Sequence, residues 1–312
     1  MQDDKDDKDR QADKDRQDEL DTTDKNDKQH LKPRGEVQPD FPSLLQAIYV
    51  LVLLFLVDVL LMGLYIDTFG RFEDGDPVAA SIIVIGGNTI VLTALMYMKR
   101  LSLASLFQPG DNSARAVLLV LTLPVMLVSA GMAVLIDDLL RVILLVLPMT
   151  KGQFEMFDRV MSGGMVSLLL LCVIAPFGEE MLFRGIFLRS FNRQYTPAQA
   201  IVFSSALFGV FHLNIYQATA AFAVGVIWAW IGLRSRSLWP CIVGHASYNL
   251  CCYLLGIALA DSTPAAADSS VFSGAAPFIL QVIAVACVWA GGLMLWKILG
   301  DVRVRPAGPA PD

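Results

Sequence analysis

CVIAPFGEEMLFRGIFLR, residues 172–189, lies inside an apolar run and carries Glu179, Glu180 and Arg184 at its centre. A helix needs about 20 apolar residues to cross the hydrocarbon of a bilayer, and the run from roughly 163 to 190 has that length. Ionisable groups are costly there and are functional signals by default. Positions i and i+4 share a helix face, so Glu180 and Arg184 can form an ion pair that lowers the cost of both charges. Glu179 points about a quarter-turn away and has no partner on its own helix. A carboxylate so placed suits a general base. Pro176 has no N–H, which frees the carbonyl of Cys172 and predicts a bend beside the acids.

Outward from this stretch the chain is apolar almost throughout. Of its 312 residues 55% are hydrophobic, and the mean hydropathy is +0.55, which suits a polytopic membrane protein rather than a soluble domain. Eight spans are expected, at roughly 43–66, 78–98, 114–136, 163–190, 197–213, 216–233, 238–258 and 277–298. The run 139–149, interrupted by Arg141 and ended by Pro148, is too short to span and reads as interfacial or re-entrant. Spans five and six are short and joined by only a few residues, so their hairpin need not reach the far surface. The expected fold class is therefore all-α, with about eight transmembrane helices over 41–300.

Charge divides the chain unevenly. Residues 1–40 hold 14 acidic and 9 basic side chains, most of the imbalance behind the overall net charge of −6. With so few apolar residues this segment is expected to be a disordered cytoplasmic tail. It lacks the basic start and apolar core of a signal peptide. Residues 301–312 read as a second short tail. No large basic face exists, so nucleic acid is excluded as a partner. With the long tail in the cytoplasm, the inner loops carry Lys99, Arg100, Arg115, Arg189, Arg193, Arg234, Arg236, Lys297, Arg303 and Arg305. The outer loops carry only Arg71, Arg141, Lys151 and Arg159 among many acids. The positive-inside rule then puts both termini in the cytoplasm. The five cysteines all fall in apolar segments, in no pattern of a disulfide framework or zinc knuckle.

Two further spans carry polar groups at helical spacing. Span five ends SSALFGVFHLN, with Phe208 one turn before His212; small residues around it would let a neighbouring helix approach. Span seven reads WPCIVGHASYNLCC, with His245 and Asn249 on one face. Two neutral hydrogen-bonding groups there could donate to an oxyanion or tie helices together. Asp58 and Asn88 add polar groups in spans one and two, as glue or as a polar path. If span five starts at the inner surface, His212 lies about 22 Å along it and His245 only about 10 Å along span seven. The two meet only if span five is tilted, starts low, or stays short.

The ordered set EExxxRG (Glu179, Glu180, Arg184, Gly185), FxxxH (Phe208, His212) and HxxxN (His245, Asn249) resembles the CPBP family. These are the CAAX-processing and bacteriocin-processing (ABI) intramembrane endopeptidases, which include the Ras-converting CAAX prenyl proteases. The resemblance covers about 160–257. It implies that Glu179 and His212 activate a water, that His245 and Asn249 bind the oxyanion, and that Glu180, Arg184 and Phe208 support the site. The implied function is hydrolysis of a membrane-associated peptide or protein, C-terminal CAAX-type processing among the options, at a bilayer-embedded site. Many members carry the name metalloprotease. A glutamate-activated water needs no cofactor, which is the preferred expectation; a zinc-dependent site would use Glu179, His212 and His245. No HExxH motif is present. An ion-coupled transporter is the first rival, though no inverted repeat is visible. A non-catalytic scaffold or immunity partner is the second. A compact chain without a targeting segment suits a bacterial inner membrane.

Overall fold

The computed structural model describes residues 41–70, 76–260, 277–302 and 304. The tail expected to be disordered at 1–40 lies outside the described residues, as does most of 301–312. Among those described there is no strand. The helices are α1 (Leu44–Phe69), α2 (Pro77–Met98), α3 (Leu103–Phe107), α4 (Ala114–Val146) and α5 (Lys151–Ser162). They continue as α6 (Gly164–Gln194), α7 (Pro197–Phe211), α8 (Ile215–Ser235), α9 (Trp239–Ala260) and α10 (Phe278–Leu299).

Local chemistry explains most of the boundaries. Ser43 with Gln46, Thr150 with Gln153 and Thr196 with Gln199 form capping boxes at the starts of α1, α5 and α7. Asp76 caps α2 and Asn214 caps α8 through their side-chain oxygens. Pro77 and Pro197 occupy first-turn positions, where no N–H is needed. Arg236 ends α8 in the left-handed region, its N–H returning to the Gly232 carbonyl.

Among the described residues, seven helices are long and apolar enough to cross a membrane. The remaining expected span, span five, is α7, only 15 residues and thus about 22 Å long, short of the roughly 30 Å hydrocarbon. Three residues, His212 to Asn214, separate it from α8. The stretch 139–149 differs from expectation. It is no separate segment, because α4 runs unbroken for 33 residues to Val146. Arg141 does not interrupt the helix because it pairs with Asp137 one turn earlier, at 2.8 Å, so the charge is neutralised within α4.

The core gathers around α6, α8 and α9, with Phe183, Phe187, Phe208 and Trp228 fully buried. α4 lies against both α9 and α10, α7 against α8, and α1 against α2. Ser129 of α4 donates to the Gly244 carbonyl of α9 at 3.0 Å. One end of the bundle is laced by backbone acceptors. Arg189 donates to the carbonyls of Ser105 and Leu106, Arg234 to those of Leu299 and Gly300, and the Leu238 N–H to Phe107. All five cysteines are free thiols.

Candidate active site

α6 is not a regular helix. π-helical turns at Leu170–Ile174 and Met181–Phe187 flank a single α-helical stretch, Ala175–Glu180. Such turns widen the ladder to i→i−5 and recur at functional sites. In the first, the Ala175 N–H donates to the Leu170 carbonyl. The next bond of that ladder would run from position 176 to Leu171, and Pro176 has no N–H to make it. The Leu171 carbonyl is therefore left without a donor from that ladder. Asn249 Nδ2 on α9 donates to it at 2.8 Å. A close approach also fixes this region from the α2 side: a Cβ on Gly178 would lie 2.8 Å from the Asn88 side chain.

Glu180 is fully buried, and its Oε1 accepts from two sides. Arg184 Nη1 donates at 3.0 Å and His245 Nδ1 lies at 2.9 Å. Arg184, also buried, donates through Nη2 to the Gly225 carbonyl of α8 at 3.2 Å. Its guanidinium lies over the Phe208 ring, 4.4 Å from the centroid. Glycine at position 225 leaves room for this approach. A Cβ there would lie 3.2 Å from Arg184 Nη2 and 3.3 Å from Phe208. Phe208 in turn packs edge-on against both imidazoles, with centroid distances of 5.2 Å to His212 and 5.6 Å to His245. One ring thus touches three polar side chains from three helices. Glu180 Oε2 and Arg184 Nε find no hydrogen-bond partner among the described residues.

In front of this layer opens a cavity of about 310 Å³ lined by Glu179, His212, His245 and Asn249. The Glu179 side chain is 14% exposed, and its Oε2 stands 3.8 Å from His245 Nε2. That oxygen has no hydrogen-bond partner among the described residues. His212 caps the end of α7, and its Nδ1 lies 2.9 Å from the Phe208 carbonyl. A carbonyl only accepts, so Nδ1 carries a proton, and in the neutral ring Nε2 is left as an acceptor. Leu213, next in the chain, takes the left-handed conformation (φ 55°) that turns the backbone into α8.

The cavity thus brings together Glu179, Phe208, His212, His245 and Asn249, while Glu180 and Arg184 stand behind it. Asp58 and Asn88 do not line it. Asn88 Nδ2 donates to its own helix at Val84. Sequence reasoning missed the carbonyls of Gly225 and Leu171, which no side-chain pattern announces. It also missed α5, whose Phe157, Val160 and Met161 wall the cavity. The apolar spacing of those residues, at one helix face, was the available signal. Among the described residues, no three His, Cys, Asp or Glu side chains form a group that could hold a metal, Glu179, His212 and His245 included. No chemical step is routed through a metal here.

Residues 161–251 match the model of a family described as Type II CAAX prenyl endopeptidase Rce1-like. The matched segment runs from the end of α5 into α9 and contains every residue of the three motifs. Neither the curated proteins nor the solved structures yield a significant match. With seven membrane-length apolar helices, the chain is an integral membrane protein.

Proposed function

We propose, on the premise that residues 161–251 place the chain in the CAAX protease family, that it hydrolyses a peptide bond of a membrane-associated peptide or protein by a glutamate-activated water. What carries the reading is one observation. A carboxylate oxygen without a partner shares an apolar-walled cavity with two imidazoles, each oriented through its Nδ1.

The steps balance as follows. Water in the cavity donates one hydrogen bond to Glu179 and one to His212 Nε2. Glu179 takes its proton as the oxygen attacks the carbonyl carbon. The resulting oxyanion accepts from His245 Nε2–H, which requires that ring to be protonated on both nitrogens while Nδ1 stays on Glu180. The proton then passes from Glu179 to the leaving nitrogen as the C–N bond breaks. Glu180, held by Arg184, orients the His245 ring in the manner of the carboxylate that holds a triad histidine. The resemblance assigns Asn249 to the oxyanion as well. One N–H of its amide donates to Leu171, which leaves the other for the cavity.

The test is hydrolysis of a farnesylated CAAX-type peptide by the purified protein in lipid. Glu179→Gln keeps the shape and removes the base, and should lower kcat by about 10²–10⁴-fold. Retained activity would overturn the mechanism. Cleavage is expected to survive a chelator, since no metal step is invoked; loss on chelation, restored by zinc, would replace the glutamate mechanism with a metal one. Both termini are proposed to face the cytoplasm of a bacterial inner membrane, by the charge asymmetry of the loops.

A further inference from the structure

We infer that Asn249 is a positioning residue, which holds the Leu171 carbonyl orphaned by Pro176 and thereby fixes the turn of α6 that presents Glu179. The inference rests on the peptidase reading above for its catalytic consequence, though not for the bond itself. Leu171, Ala175 and Glu179 all line the cavity and form one stripe along α6 at intervals of four residues. The first residue of that stripe belongs to the π-helical turn. A π turn trades regular geometry for a shifted phase, so the direction in which Glu179 points depends on the turn above it staying in that register. Without its own N–H donor, the Leu171 carbonyl would be unsatisfied in a hydrocarbon setting, where water offers no replacement. The turn could then recover by relaxing to a different ladder, and Glu179 would rotate with it.

α9 prevents this at two points. His245 Nδ1 grips Glu180 Oε1 at 2.9 Å, and Asn249 Nδ2 grips the Leu171 carbonyl at 2.8 Å. The contacts run antiparallel: the earlier residue of α9 takes the later residue of α6. Glu179 lies between the two attachment points. The spacing of His245 and Asn249 on one face of α9 therefore matches a clamp on α6, with one N–H of the Asn249 amide engaged by a backbone carbonyl.

A double-mutant cycle distinguishes the clamp from an oxyanion donor. Asn249→Ala should lower kcat by about ten- to hundredfold, the loss of one buried hydrogen bond expressed at the reacting carboxylate. Pro176→Ala supplies an N–H at position 176 that can bond Leu171 within the helix. In the double variant kcat should then recover at least tenfold over Asn249→Ala. The acidic limb of the pH–rate profile should shift in Asn249→Ala and return in the double variant. Loss of folded protein would scale the profile without moving the limb. An oxyanion donor, once removed, is not restored by a change on α6, so absence of recovery overturns the inference. If Pro176→Ala does not fold, the carbonyl carbon-13 resonance of Leu171 in the lipid-embedded protein decides. It should move in Asn249→Ala, and an unchanged resonance refutes the bond. That resonance does not depend on turnover, so failure of the peptidase reading and failure of the clamp give different results.

Discussion

Glu179 and Glu180 are neighbours in sequence with opposite circumstances. Glu180 has two donors on one oxygen and no exposure, whereas Glu179 opens on the cavity with an oxygen that has no partner. The i,i+4 pairing of Glu180 with Arg184 was legible from spacing alone, and so was the lack of a helical partner for Glu179. What spacing could not reveal is that Glu180 also holds His245, because that contact joins residues 65 apart in the chain. Removing Arg184 would strip the buried Glu180 carboxylate of its guanidinium partner. Arg184→Ala should therefore destabilise the protein by about 3–5 kcal/mol, read as a drop in thermal midpoint in lipid or detergent. Arg184→Lys should recover little, because one ammonium cannot reach Glu180 and the Gly225 carbonyl while covering Phe208 as a flat guanidinium does. Equal stability of wild type and Arg184→Ala would show that the buried pair is not what holds these helices.

Elements carry the next set of consequences. α7 ends at the cavity, where His212 at its end and His245, early in α9, line the same space. α6 alternates three α-helical stretches with two π turns, and the middle α stretch holds the acid pair, with Glu179 at the cavity and Glu180 in the core. A constant 100° step fits the α turn holding the acid pair but not the turns on either side. That is why Leu171 lost its donor. α5 has no fully buried residue, yet Phe157, Val160 and Met161 wall the cavity. Gly164, at φ 60°, joins it to α6. Phe157→Ala removes apolar wall and leaves the polar groups untouched. It should raise KM several-fold, a loss of about 1–3 kcal/mol of uniform binding, with kcat little changed. A fall in kcat at constant KM would instead place Phe157 in contact with the reacting bond.

At the scale of the whole molecule, large apolar side chains point outward on α1 and α10, Leu60 and Phe278 among them. In water such faces would drive association; against lipid they meet their own kind. α7 and α8 are joined by three residues, so they cross or turn back together. Counted as such a pair, they fit the proposed parity of eight spans, which puts both termini on one face. Arg189, Arg234 and Arg236 gather at one end of the bundle with the ends of α3 and α10, as the loop charges anticipate. Single cysteines near each terminus, in a cysteine-free background, should react with an impermeant reagent from the same face of the membrane; labelling from opposite faces would break the parity. Helix periodicity and bilayer thickness act locally along the chain, so the residues alone imply an all-helical membrane protein, the three motif-bearing helices and their pairing at i,i+4. Which histidine nitrogen faces the cavity, which carbonyl Pro176 abandons and what Asn249 holds emerge from packing. Those outcomes depend on the relative depth and rotation of packed helices, and π turns alter that rotation in a way that no single-helix pattern records.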